Sequence, residues 1–252
     1  WDVEALAESE NFVAVLKPAG MFVITSPEGL WEASPTNFVH VAHQRIDMPS
    51  RDEPRQRGIC HRLDSHTSGV QIFGKSWEAF RYFVGQSSSH KVQKEYIALV
   101  NGRLGGDGDP SVGVVNVPMK KWQDFSLREF GSVVCSQEGQ PAVTKYRALR
   151  HFRVPATGPT AFWGEDRWFT LVQLRILTGR THQIRVHMAF IGHPLVCDFK
   201  YNASRYESDC AIVPRIFLHS LRTEFQEMTG NQFVAASDLA PDLQVALLRI
   251  YE

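Results

Sequence analysis

Neither sign of charge is in excess: 27 Lys and Arg stand against 27 Asp and Glu in 252 residues. That balance argues against a strongly basic protein that coats nucleic acid, because such affinity scales with the number of phosphates neutralised. Cysteine is scarce, and Cys60, Cys135, Cys197 and Cys210 show no CxxC spacing. Scattered thiols in a chain this long read as reduced and mostly buried, which sets aside a disulfide framework and a zinc site. Long hydrophobic runs are missing too. None approaches the ~18–20 residues of a membrane span, so a membrane is not among the expected partners. No internal repeat and no second composition regime appears, and residues 1–252 read as a single domain. The chain opens on Trp1 without an initiator Met or a signal-like stretch. The expectation is a trimmed sequence in which any targeting peptide is out of view, and an intracellular protein of open compartment.

What is present begins with two apolar runs, Phe12–Leu16 and Met21–Ile24, separated by Lys17-Pro18-Ala19-Gly20, a turn signal between short strands. Residues 26–58 carry Pro, Ser, Gly and the charged run Arg51-Asp52-Glu53-Pro54-Arg55, and read as a long loop. Ser76 can cap a helix whose Trp77, Phe80, Phe83 and Val84 follow the 3.6-residue period. Tyr96 to Val100 reads as a strand closed by Asn101-Gly102, and Gly105–Gly113 as a glycine- and aspartate-rich loop. Two more strands, Val143–Leu149 and Trp168–Leu177, flank a loop at Pro155–Pro159. After Thr178-Gly179-Arg180, residues Ile184, Met188 and Ile191 share a helical face, with Gly192 and Pro194 as stops. A last short helix starts near Pro241. Strands with few helices between them predict an α+β fold with a largely antiparallel sheet.

The densest run of chemistry is His61-Arg62-Leu63-Asp64-Ser65-His66-Thr67-Ser68-Gly69. A cation, an anion, two imidazoles and hydroxyls make a poor core strand. They suit a loop that offers one carboxylate, with small polar residues bonding the backbone locally. Taken alone, the run fits a solvated turn equally well. It is not alone, because Phe12–Met21, Lys94–Val100, Gly139–Leu149, Leu177–Tyr201 and Arg215–Ser220 accompany it in order. Together these blocks resemble the RluA-type RNA pseudouridine synthases, from Phe12 to about Leu221. The resemblance implies a mixed central sheet with flanking helices and a central active-site cleft. It also implies isomerisation of uridine in RNA to pseudouridine, with no cofactor and no metal.

By the same resemblance Asp64 is the catalytic carboxylate, Arg185 its basic partner and Tyr96 the residue that holds the target base. Arg62, Leu218, His61, Thr67, Arg180 and His182 occupy positions expected to bind substrate. Arg62 is expected to enter the space left when the uridine leaves the stack. For Tyr96 and Leu218 a plain core role stands open beside the pocket role. His182 and His187 are five apart, not the four that puts two imidazoles on one helical face, and they read as structural histidines. Three positions depart from the family: His66, Cys197 where glycine is usual, and Asn202 where glycine is frequent. No S4-type RNA-binding module is visible. The expected partner is RNA (ribosomal, transfer or messenger), and the expected state a monomer. The competing reading, a noncatalytic RNA-binding or ribosome-assembly protein, fits less well while Asp64, Tyr96 and Arg185 are all in place.

Overall fold

The chain runs β1 (Ala5–Glu8), β2 (Phe12–Lys17), α1 (Phe38–Arg45), β3 (Ser68–Gly74), α2 (Trp77–Ser88), β4 (Gln93–Asn101), β5 (Val112–Asn116) and β6 (Met119–Lys121). It continues through β7 (Val133–Cys135), β8 (Val143–Val154), β9 (Arg167–Ile176), α3 (Gln183–Phe190), α4 (Tyr206–Cys210), β10 (Leu218–Gln226), β11 (Gln232–Ala236) and α5 (Pro241–Tyr251). The computed structural model describes residues 3–23, 36–45, 58–105, 111–121, 133–156 and 165–251. Among these residues no helix is long and apolar enough to cross a membrane. The class is α+β with a mostly antiparallel sheet, as expected. Contacts divide the chain into two units, Trp1–Glu95 with His219–Asp238, and Tyr96–Leu218 with Leu239–Glu252.

In the first unit β2 pairs antiparallel with β1 and β3, while β3 and β10 run parallel, His219 beside Ser68 and Ser220 beside Gly69. Every residue of β3 is buried, so its two faces feed two cores. Phe12, Ala14, Val70 and Ile72 pack with Ala79 and Phe83 of α2 and with Phe225 and Phe233. The intervening residues Val13, Val15 and Phe73 pack instead with Phe38, Val39 and Ala42 of α1. This is the two-residue alternation of a strand covered on both sides. Ser76 caps α2 as its sequence predicts, its Oγ accepting from the Ala79 N–H at 3.1 Å.

The same core holds a cation. Lys94 is buried with its ammonium 5.7 Å from the centre of the Phe83 ring. Burial pulls its pKa down to about 8. Burial likewise pushes the neighbouring Cys60 thiol far up, so it stays protonated.

In the second unit β4, β9, β8 and β5 lie side by side, with β8 antiparallel to both β9 and β5. Gly113 of β5 sits under the Tyr146 ring, where a Cβ would stand 2.4 Å from the phenol oxygen. A buried network ties the β4 end to the segment before α4. Asp209 accepts from Arg167 Nη2 at 2.7 Å, from Asn101 Nδ2 at 3.1 Å and from the Cys197 N–H at 3.0 Å. Cys197 has φ +59°, the left-handed region that favours glycine, which accounts for the residue usual there in the family. All four cysteines are free; Cys60 and Cys197 are buried, Cys135 is half-buried and Cys210 exposed.

Two sequence expectations need correction. Helix α1 lies inside the stretch read as a long loop. Its apolar Phe38, Val39, Val41 and Ala42 are buried, and the Asn37 side chain caps it by accepting from the Val39 N–H at 3.1 Å. Strand β5 takes Val112 and Gly113 out of the supposed glycine-rich loop by pairing them with Arg147 and Tyr146. Where a strand was expected at Met21–Ile24, Phe22 forms a single bridge to Asn37, and Ile24 lies outside the described residues. The rest of the expected loops at 26–58 and 105–113, and the end of the one at 155–159, also fall largely outside them.

Two outcomes follow from these cores. Gly69 has φ +117°, and a Cβ there would meet the Ser220 carbonyl oxygen at 2.1 Å. Gly69→Ala should therefore cost at least about 2 kcal/mol from the backbone conformation alone. Thermal melting should fall by roughly 4–8 °C or more, and an unchanged melting temperature would contradict this packing. Lys94 titrates near 8 in the folded protein and near 10.4 unfolded. Between those values the unfolded chain binds more protons, so stability rises with pH. Relative to Lys94→Met, the wild type should gain on the order of 3 kcal/mol between pH 8 and 10.5, read by denaturant melts. A difference that stays flat across that range would mean the amine is solvated.

Candidate active site

The first unit presents the carboxylate. Residues Asp64 to Thr67 form a tight turn in which the Thr67 N–H donates to the Asp64 carbonyl at 3.0 Å. Aspartate is favoured at the first position of such turns. The turn is gripped from inside by Lys17, which is completely buried. Its Nζ donates to the carbonyls of Pro18 (3.0 Å), Ser65 (3.0 Å) and Thr67 (2.9 Å), with Asp64 O at 3.3 Å. The Gly20 N–H adds a bond to Ser65 O at 2.8 Å. Backbone carbonyls thus replace the water shell of an ammonium that burial would otherwise penalise heavily. The Asp64 side chain itself is half-buried.

The other residues expected on this loop divide. Arg62 is exposed. Thr67 is buried, and its Oγ1 has no hydrogen-bond partner among the described residues. His61 is committed to the fold. Its Nε2 accepts the Ile72 N–H at 3.1 Å, its ring stacks on Phe83 at 6.0 Å, and its carbonyl accepts from Gln71 Nε2. Accepting at Nε2 requires the neutral ring, and burial first, then the Lys94 charge, holds its pKa well below the usual histidine range.

The second unit presents the arginines. Tyr96 is buried in β4, and Leu218 is buried at the start of β10. The residue before it, Phe217, accepts at its carbonyl from the Leu99 N–H of β4 at 3.3 Å. Past β9 the chain turns through Thr178–His182 into α3, and Gln183 braces that turn. Its Oε1 accepts from Thr178 Oγ1 at 2.7 Å and from the Arg180 N–H at 3.1 Å, while its Nε2 donates to Val143 O at 3.0 Å. Arg180 is exposed, and its Nε donates to Pro141 O at 3.0 Å.

Arg185 is buried in a two-pronged pair with Asp198, Nε to Oδ2 and Nη2 to Oδ1, both at 2.8 Å. Its guanidinium also lies 5.1 Å from the Tyr201 ring centre and 5.9 Å from that of Phe199. Asp198 Oδ1 accepts further from the N–H groups of Lys200 and Tyr201 at 3.0 and 3.1 Å. The arginine is therefore fixed in direction, not swinging on its stem.

The histidines are each spoken for. His182 Nδ1 meets Tyr201 Oη at 2.8 Å, and His187 meets Thr144 Oγ1 at 2.9 Å and Val117 O at 3.0 Å. Burial lowers the His187 pKa, consistent with a neutral ring that donates to the carbonyl and accepts from the hydroxyl. Among the described residues no cluster of His, Cys, Asp and Glu could hold a metal. A depression of about 240 Å³ lined by Glu8, Glu10, Glu227 and Phe233 contains none of the motif residues.

Lys17, Gln183 and Asp198 were not singled out as site residues from sequence. Each leaves a faint signal: a lysine ending the buried run Phe12–Leu16, a glutamine opening an apolar helix, and an aspartate between Val196-Cys197 and Phe199. A lone polar residue in an apolar stretch has to find a partner.

The sequence pattern of the RNA pseudouridylate synthase family matches residues 11–190. The chain is 31% identical over 252 residues to ribosomal large subunit pseudouridine synthase D of Nitrosomonas europaea, covering 98% of this chain and 64% of that protein. It is 33% identical over 242 residues to tRNA pseudouridine synthase C of Salmonella typhimurium, covering 94% and 85%. The chain spans between 49% and 65% of the length of the ribosomal large-subunit relatives it matches first. Its fold is that of human RNA pseudouridylate synthase domain containing 1, with a TM-score of 0.68 at 21% identity over 97% of this chain and 87% of the other. On the matched pattern and these relatives, the chain belongs to the RNA pseudouridylate synthase family.

Proposed function

We propose that this protein isomerises uridine in RNA to pseudouridine, with Asp64 as the catalytic carboxylate. The observation that carries the reading is the Lys17 grip. It spends a buried ammonium on the backbone carbonyls around Asp64 and so fixes the turn that bears this side chain. The reaction breaks the N1–C1′ bond, turns the base, and joins C5 to C1′. N1 gains a proton and C5 loses one, so nothing is oxidised and no group leaves. A carboxylate that bonds to carbon or steadies a sugar cation supplies the chemistry. In this reading Tyr96 holds the base, Arg185 balances the carboxylate's charge, and Leu218, Thr67, Arg180 and His182 line the substrate. His61 acts through the loop it braces, and Arg62 fills the gap left by the flipped base. The family pattern, residues 11–190, runs through both units, so we keep residues 1–252 as one catalytic domain. Relatives named for ribosomal RNA and for transfer RNA are both similar to this chain, and the substrate is proposed at the level of RNA.

Two measurements test the chemistry. RNA carrying tritium at uridine C5 should release it to water in the presence of the wild type. Asp64→Asn should bind the same RNA and release none; release at the wild-type rate would remove Asp64 from catalysis. Asp198→Asn takes the charge from the pair that aims Arg185. Breaking a buried pair costs about 3–5 kcal/mol, so melting temperature should drop. At a temperature where the variant is folded, kcat should fall while RNA affinity is nearly kept. Wild-type kcat in the folded variant would make the pair purely structural.

A further inference from the structure

The acidic and basic residues balance over the chain but not over the second unit's sheet. Strands β5, β8 and β9 contain Lys145, Arg147, Arg150, Arg153, Arg167 and Arg175 and not one Asp or Glu. Register decides where these cations go. Val112 is opposite Arg147 and Val114 opposite Lys145, while across β8 Arg147 meets Gln173 and Lys145 meets Arg175. Paired residues share a face, so Val112, Val114, Lys145, Arg147, Gln173 and Arg175 form one continuous surface. At the far end of that face Phe152 and Phe169 are buried, and α5 packs against β8. At this end it is open: Lys145 and Arg147 are exposed, and Val112 and Val114 are 58% and 57% exposed.

Two features make this more than a solvated sheet face. Lys145 and Arg175 are direct cross-strand partners, their Cβ atoms about 5 Å apart, and like charges in that position repel. No acid on the three strands relieves them, and none of Lys145, Arg147 and Arg175 forms an ion pair among the described residues. In addition Arg175 Nε is enclosed yet has no hydrogen-bond partner there, a donor left unused at a cost. A polyanion laid across the face would remove the repulsion. Along a strand, alternate residues repeat every ~7 Å, so Lys145 and Arg147 can each reach a separate phosphate.

We propose that the exposed face of β5, β8 and β9 is an accessory RNA-binding surface, on which Lys145, Arg147 and Arg175 hold backbone phosphates of the substrate RNA away from the target uridine. This rests on the reading that the substrate is RNA. The surface supplies affinity without sequence preference and takes no part in the chemistry.

The test compares wild type with the triple variant Lys145→Gln, Arg147→Gln, Arg175→Gln, whose changes lie on the sheet's outer face. Binding of labelled total transfer RNA and of polyuridylate is followed across a salt series. Losing three phosphate contacts should lower affinity about tenfold or more, and reduce the slope of log K against log salt by about two. The rate of tritium release at saturating RNA should stay at the wild-type value. Wild-type affinity and slope in a variant that melts normally would overturn the proposal. Polyglutamate bound as tightly as polyuridylate, and lost with the same three residues, would reassign the face to an acidic protein. If the variant loses RNA binding but the wild type releases no tritium from any RNA, the surface stands and the isomerase reading falls.

Discussion

The ammonium of Lys17 sits where the first unit's strand β2 ends and the Asp64 turn begins, and it organises both. Strand β2 places it beside Gly69, and the turn then folds its carbonyls inward onto the charge. Three N–H donors face four carbonyl oxygens, so main-chain oxygens take the place of water around the group. Without the cation all four oxygens would lose a charged donor, although Asp64 O and Ser65 O would keep the Thr67 and Gly20 N–H groups. Without the turn the cation would be a bare charge in a core. Each makes the other affordable, and that mutual need is what holds a polar loop still against a hydrophobic strand.

The second unit solves a similar problem with opposite charges. Arg185 is kept straight by Asp198, Asp198 by two backbone N–H groups, and the preceding Cys197 by the Asp209 network. Each link is a hydrogen bond to an ionised group, the stronger kind. The two bonds to Asp198 fix the direction of the Arg185 guanidinium. The open face of β5, β8 and β9 shows the contrary arrangement: cations set side by side with no acid among the strands.

Much of the plan was legible along the chain. Strands β2, β4, β8 and β9 and helices α2, α3 and α5 fall where apolar period and turn residues put them, with Ser76 capping α2. Helix α1 was missed because its two buried turns lie between Pro- and Ser-rich flanks that read as loop. Strand β5 was missed because Val112-Gly113 follows a glycine- and aspartate-rich stretch, and its strand character comes from pairing with β8 rather than from its own residues.

The order of motifs in the sequence by itself determined the family, and through that resemblance it singled out Asp64, Tyr96 and Arg185 as candidates. It also placed strand β2, since the apolar run Phe12–Leu16 closed by a turn signal reads as a short strand, while the burial of β2 and β3 on both faces came from the packing. Only the tertiary structure decided the partners. Lys17 finds carbonyls about fifty positions downstream, His61 gives its ring to the Ile72 N–H, and Asp198 takes Arg185. Strand register alone sets Lys145 against Arg175. Hydrogen bonds and cross-strand pairs join residues that are distant along the chain, and a sequence read one element at a time carries periodicity and local turn chemistry but not the register that brings such residues together.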